Sequence, residues 1–304
     1  MSWTVPEGLY RKDTINGKTA LILIIGQGQK EADMKHTTTS LKKMKQEKDP
    51  IVMMTAYDAP GAGAAEKAGA DVILVGDSLG MTVLGFDSTV HVTIPHMTHH
   101  GSAVKRGAAE TFIVIDMPFM ASRISSADTK KAALQLMQQG GADAVKMEGA
   151  GPLVQETAEL TAGGIPVVAH LGLTPQTVGV EGGYKVQGKT PEAQKQLLED
   201  AEALERAGAC MLVLECVPEE TAKLASEQLQ IPVIGIGAGR WTDGQVLVYH
   251  DIIGMYQGHQ PKFVRQFSDA GAVAEEGLAA YKEAVKKREF PQEAHAFQPL
   301  KETY

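Results

Sequence analysis

Three times along this chain of 304 residues, a segment of helical character ends in glycine, passes directly into four mostly apolar residues and then reaches a carboxylate. Gly69-Ala70-Asp71 leads through residues 72–75 to Asp77, Gly141-Ala142-Asp143 through 144–147 to Glu148, and Gly208-Ala209-Cys210 through 211–214 to Glu215. Each glycine reads as the residue that closes a helix in a left-handed turn, so the apolar run is a strand and the acid lies at or just past its C-terminal end. Asp116, directly after residues 111–115, holds the same place in a fourth unit.

From residue 51 onward the chain keeps this strand–helix rhythm, with expected strands at 51–56, 72–75, 112–115, 144–147, 166–169, 211–214 and 233–236, and an eighth near 246–250. The apolar runs do not alternate, as expected of parallel strands covered on both faces. With 43% hydrophobic residues the chain can fill one (β/α)8 TIM barrel, which takes about 250 residues. The C-terminal ends of all barrel strands gather on one face, so Asp77, Asp116, Glu148 and Glu215 are expected to converge there. Several acids in one place repel one another unless a positive group neutralises them, and a hard cation with oxygen ligands, Mg²⁺ first, is the simplest candidate. The alternative is that such an acid only caps the next helix. It applies best to Glu148, because Gly149 to Pro152 looks like a turn into a helix starting at Pro152.

Other residues fall on the same face. His170 ends the expected fifth strand, where it is either a satisfied core residue or part of a site. Lys146 lies two residues before Glu148 on one strand and so points to the same side, and a lysine aimed into a barrel requires acidic partners. The segment 182–188, Gly-Gly-Tyr-Lys-Val-Gln-Gly, reads as a long loop, either a surface excursion or a lid. The glycines Gly235, Gly237 and Gly239 lack the dinucleotide-binding spacing and are expected to serve close packing or close approach to a ligand. Gly76-Asp77-Ser78-Leu79 is a tetrapeptide that also marks serine esterases. No Asp-x-x-His follows it, and a serine without its base is not an activated nucleophile.

Composition excludes several partners. The net charge is −8, and lysines and arginines are scattered rather than striped, which argues against nucleic acid. Two cysteines, Cys210 and Cys216, flank one strand and indicate neither a disulfide framework nor a zinc cluster. The apolar run 20–25 is far shorter than the roughly 20 residues that span a bilayer, and no signal-cleavage pattern follows it. A cytoplasmic protein is expected.

The segments Thr55-Ala56-Tyr57-Asp58, Val75-Gly76-Asp77-Ser78-Leu79-Gly80-Met81, Asp116-Met117-Pro118-Phe119-Met120, Val145-Lys146-Met147-Glu148-Gly149, His170-Leu171-Gly172-Leu173-Thr174-Pro175, Leu214-Glu215-Cys216-Val217-Pro218 and Ile234-Gly235-Ile236-Gly237-Ala238-Gly239, with the loop 182–188, together resemble the ketopantoate hydroxymethyltransferases. The likeness runs in order from about Met34 to Gly258-His259-Gln260-Pro261-Lys262-Phe263, and the remainder is similar to the family's variable C-terminal helix and tail. His99 and Thr177 stand where the family commonly has Tyr and Ser.

The resemblance implies a TIM barrel of the phosphoenolpyruvate/pyruvate type over residues 34–304. It implies transfer of a one-carbon unit from 5,10-methylenetetrahydrofolate to 3-methyl-2-oxobutanoate, giving 2-dehydropantoate for pantothenate and coenzyme A through a metal-stabilised enolate. It further implies Asp77 and Asp116 as direct Mg²⁺ ligands, Glu148 reaching the metal through water, Ser78 and Lys146 holding the oxo acid, His170 in the pocket wall, Glu215 moving the proton, and a homo-oligomer, often a decamer. An oxo-acid lyase or mutase on the same barrel is the rival expectation, with the serine esterase behind it. Residues 1–33 match nothing in the family and are expected to be disordered or a start-site artefact. Residues 29–33 can be encoded by a purine-rich ribosome-binding tract, which puts the natural start at Met34.

Overall fold

The computed structural model describes residues 10–15, 18–23, 35–183, 185–255 and 260–298. Met34 and the ribosome-site residues 29–33, Tyr184 of the glycine-rich loop, and Gly258 and His259 lie outside that set. The chain forms two compact units, residues 1–35 and 36–304.

In the first unit, Tyr10–Ile15 and Lys18–Leu23 pair as antiparallel strands, with Ile15 opposite Lys18.

In the second unit, eight parallel strands close into a barrel. We number them β1 (Ile51–Thr55), β2 (Val72–Val75), β3 (Phe112–Asp116), β4 (Ala144–Glu148), β5 (Val167–Gly172), β6 (Met211–Glu215), β7 (Val233–Ile236) and β8 (Gly244–Leu247), and β8 pairs back onto β1. Ile51, Met53, Val72, Leu74, Phe112, Val114, Val168, Met211, Val213, Ile234 and Val246 are buried together in one cluster with Leu41. Full burial of each such side chain contributes about 1.5–3 kcal/mol. Leu41 comes from helix α1 (Thr38–Glu47), which closes the N-terminal end of the barrel. Lys45 on α1 secures it there, reaching Asp243 Oδ2 at 2.8 Å and Ser226 O at 2.7 Å.

The glycines of the repeated motif behave as read. Gly69, Gly141 and Gly208 have φ of 85°, 77° and 101° and turn a helix end into the next strand. Asp71 and Asp143, just after two of them, accept the backbone N–H groups of Val52 and Ile113 on neighbouring strands at 2.7 and 2.8 Å. These acids finish the bottom of the barrel, whereas those at the far strand ends face a different environment. Gly237 (φ 62°) packs so closely on Phe263 that a Cβ would lie 2.7 Å from the ring, so tight packing accounts for it.

Candidate active site

The period-two geometry of the strands builds the site. On β3, Phe112 and Val114 fill the barrel and Asp116 is next on that face; on β4, Ala144 is followed by Lys146 and Glu148; on β5, Val168 by His170; on β6, Met211 and Val213 by Glu215. Two residues along the same strand carry the interior from hydrocarbon to charge.

Lys146 Nζ lies 3.2 Å from Asp116 Oδ1, 3.7 Å from Glu148 Oε1 and 3.1 Å from His170 Nδ1. His170 bridges two acids, with Nδ1 3.3 Å from Glu148 Oε1 and Nε2 3.4 Å from Glu215 Oε2. Asp77, two residues past β2, donates its backbone N–H to Asp116 Oδ2 at 3.0 Å. Asp77 and Asp116 therefore share one small region, as their place at the strand ends predicted. Asp77, Asp116, Lys146, Glu148 and His170 are buried, whereas the Glu215 side chain is 18% exposed, so Glu215 is the acid an incoming molecule meets.

Glu148 caps no helix. The helix Pro152–Ala162 is preceded by Gly151 with no side-chain cap, and the Glu148 carboxylate points inward. Ser78 Oγ hydrogen-bonds the Tyr57 hydroxyl at 2.8 Å, while His170 is engaged by Lys146 and the acids. Among the described residues the serine therefore has no recorded histidine partner that would activate it.

Charge explains how these groups titrate. For Asp77, burial and then the charges of Glu148 and Asp116 push the carboxyl well above its usual range. Burial also raises Asp116, although Lys146 pulls it back in part. Burial works against a charged Glu148, yet hydrogen bonding and charge from His170, with Lys146 and the Gln176 N–H, bring it down to about 2. Burial and Lys146 both oppose charge on His170, but Glu148 and Glu215 outweigh them and lift it to about 9. The imidazole is therefore protonated at neutral pH, its N–H groups facing the two glutamates, with Lys146 left to Asp116. Burial opposes charge on Lys146 too, but Asp116, Glu148 and Asp77 hold it above its ordinary value. Burial carries the Tyr57 hydroxyl to about 12, so it stays protonated.

Four carboxylates thus face one ammonium and one imidazolium, and the surplus negative charge is concentrated on Asp77 and Asp116. Asp116 Oδ1 is buried and has no aligned hydrogen bond, although the ammonium is near. Gly76 leaves open the space where a Cβ would lie 2.8 Å from Ser78 Oγ and 3.6 Å from Asp116 Oδ2. Buried carboxylate oxygens beside a cradle that a side chain at position 76 would fill suit a small hard cation. Among the described residues, no three His, Cys, Asp or Glu side chains are gathered closely enough to hold an ion by themselves.

Two residues of the site escaped the sequence reading. Tyr57 is one. Gln176, in the short turn after β5, is the other: it donates from Nε2 to Asp77 Oδ2 at 2.8 Å and to Met117 O at 2.9 Å, and from its backbone N–H to Glu148 Oε2 at 3.1 Å. Neither carries charge at neutral pH: Tyr57 stands two residues past β1, as Asp77 does past β2, but an uncharged side chain there gives no electrostatic signal, and Gln176 lies beyond the strand end in a turn.

A closed parallel barrel whose charged cluster sits at the C-terminal mouth of its strands is the architecture of (β/α)8 enzymes. Solved structures agree with this. Phosphonopyruvate hydrolase in complex with oxalate and Mg²⁺ superposes with a TM-score of 0.55 at 13% identity, covering 86% of this chain and 91% of that one. The phosphoenolpyruvate phosphomutase of Streptomyces platensis subsp. rosaceus gives 0.54 at 13% identity over 83% and 88%. Likeness at that identity speaks for the fold alone.

Within that class the chain belongs to the ketopantoate hydroxymethyltransferase family, whose profile matches residues 35–293. It is similar to the 3-methyl-2-oxobutanoate hydroxymethyltransferases of Halalkalibacterium halodurans, 58% identical, and Bacillus thuringiensis, 57% identical. Each alignment covers 86% of this chain and 94% of the relative. The protein is thus an enzyme of the transferase class. No described helix is long and apolar enough to cross a membrane.

Proposed function

We propose that this protein transfers a hydroxymethyl group from 5,10-methylenetetrahydrofolate to 3-methyl-2-oxobutanoate, giving 2-dehydropantoate. Asp77 and Asp116 would hold a Mg²⁺ ion, with Glu148 beside them. The observation that carries this reading is the meeting of Asp77, Asp116 and Lys146 within hydrogen-bond and ion-pair distance, in a chain whose close relatives bear the name of this reaction.

Bound between the aspartates, the cation would supply Lewis acidity that draws electrons from a keto group and acidifies the adjacent C–H. The protein supplies the rest. Lys146 places positive charge beside the carboxylate of the oxo acid, and Ser78, held by Tyr57, offers it a hydroxyl. Glu215, the most open acid, takes the proton from the acidified carbon, and the His170 imidazolium orients its carboxylate from 3.4 Å. The carbon then bonds to the methylene carbon of the folate, and water supplies the hydroxyl oxygen as both C–N bonds to that carbon break; the proton taken by Glu215 and one from the water go to the two folate nitrogens. Because the folate brings the electrophile, the chain needs no nucleophile of its own. We further place the enzyme in the cytoplasm as a homo-oligomer, a decamer on the family resemblance.

The test is product formation from 3-methyl-2-oxobutanoate and methylenetetrahydrofolate, with and without chelator. Chelator-sensitive 2-dehydropantoate, nearly lost in Asp77→Ala and Asp116→Ala, is expected. Conversion of oxo acids that ignores the folate would favour a lyase or mutase on the same barrel, and chelator-resistant activity would remove the cation from the mechanism.

A further inference from the structure

Gln176 is 8% exposed and stands in the turn Pro175–Thr177, directly after β5 and before the glycine-rich segment. Its three hydrogen bonds end on three different strand-end loops: Asp77 after β2, Met117 after β3 and Glu148 at the end of β4. The amide orientation is unambiguous, since the Met117 carbonyl can only accept, so the NH2 group faces both it and Asp77 Oδ2.

From this geometry we infer that Gln176 is a positioning residue for the cation: it engages Oδ2 of Asp77, leaves ligation to Oδ1, and ties the β5 loop to the ligand set. The inference rests on the proposed cation between Asp77 and Asp116. A neutral donor suits the task. It fixes a carboxylate that electrostatics would otherwise turn away from Asp116 and Glu148, yet adds no further charge to the cluster. Because the backbone of the same residue holds Glu148, cation binding and ordering of the turn 174–177 become one event.

Removal of a side chain that orients a metal ligand typically weakens metal affinity on the order of 10–100-fold. The experiment measures Mn²⁺ binding to the full-length, metal-stripped protein by calorimetry and electron paramagnetic resonance, without organic substrate. The proteins are wild type, Asp77→Asn, Gln176→Met and Gln176→Asn. Gln176→Met keeps the length and loses the donors, and Gln176→Asn keeps the donors and cannot reach. Thermal unfolding of each metal-free variant shows that it is folded. Both Gln176 variants are expected to bind Mn²⁺ at least tenfold more weakly than wild type. Hydrogen exchange of residues 174–183 should slow on adding Mn²⁺ in the wild type and not in the variants.

Wild-type affinity in a folded Gln176 variant overturns the inference while the cation site stands, as does a variant that loses stability alone. If wild type and Asp77→Asn bind Mn²⁺ equally, the proposed cation site itself falls, and the role of Gln176 with it.

Discussion

At the scale of single residues, the site is a problem in electrostatics that the protein solves only in part. His170 and Lys146 hold Glu148 in its charged form, whereas burial and neighbouring carboxylates raise Asp77 and Asp116 above their ordinary values. The signs follow from those directions. Glu148, lowered to about 2, contributes stability above its ordinary 4.5 that is lost as pH falls toward 2. His170, raised to about 9, contributes below 6.5 what is lost as pH rises through 9. Asp77 and Asp116, both raised, work the other way from Glu148: they favour the fold while protonated, and that contribution fades as pH climbs past 3.8. The proposed divalent cation would take the place of those protons, so protons would compete with it. The gain in Tm on adding excess Mg²⁺ should therefore be larger at pH 8 than at pH 5.5, and differential scanning calorimetry across that range checks it. A gain that does not change with pH would mean the ion binds elsewhere. The four acids, Lys146 and His170 were all legible in the sequence, because a charge at the end of an apolar strand has few other reasons to be there. Gln176 and Tyr57 were not, because an uncharged hydrogen-bonding side chain in a turn or a loop looks the same in sequence whether it touches water or a ligand.

At the scale of elements, hydrophobic pattern located seven strands within a few residues and shifted the eighth. The run 246–250 suggested a strand there, yet β8 begins at Gly244 and Tyr249 opens the helix Tyr249–Ile253. Gly244 pairs with Ile51 on one side and Ile234 on the other, a gap only a bare backbone fits, so the strand starts on residues with no hydrophobic signal. It ends where the Tyr249 N–H turns to Thr55 Oγ1 at 2.8 Å. The strand end of β6 hides another constraint. Cys216, next to Glu215, has φ of 48°, a left-handed conformation uncommon for any residue but glycine. Its backbone gives its N–H to Ile236 O and accepts from Gln187, which fixes the turn that aims Glu215. Cys216→Gly should leave stability within about 1 kcal/mol of wild type or improve it, since glycine adopts this conformation freely. Cys216→Val should lose about 1–3 kcal/mol and lower kcat, because a β-branched residue resists positive φ and moves the neighbouring carboxylate. Urea unfolding and steady-state kinetics on the two variants check both halves. Equal behaviour would show that the conformation does not govern Glu215.

At the scale of the whole molecule, the barrel unit separates its tasks by end: α1 and the partly buried Lys45–Asp243 pair close the bottom, and the charged cluster occupies the top. The C-terminal helix Ala270–Lys286 belongs to neither end. Of its 17 residues only Gly271 is buried, while Val273 and Leu278 are each 70% exposed and Tyr281 is 59% exposed. Leu278, Tyr281 and Val285 recur at spacings of three and four, so they share one face, with Val273 at its edge. A helix that leaves such a face in water gains nothing from its amphipathic pattern, and the proposed homo-oligomer would give that face something to pack against. With a net charge of −8 spread over the chain, non-specific attraction between copies is weak, so an oligomer would depend on apolar faces of this sort. The double variant Leu278→Asp, Tyr281→Asp places charge in that stripe while leaving the barrel core untouched. Sedimentation velocity should show the proposed homo-oligomer dissociating to smaller species at micromolar concentration, with the circular dichroism spectrum unchanged. An unaltered sedimentation coefficient would mean that subunits meet through another face and that the stripe on Ala270–Lys286 stays in solvent.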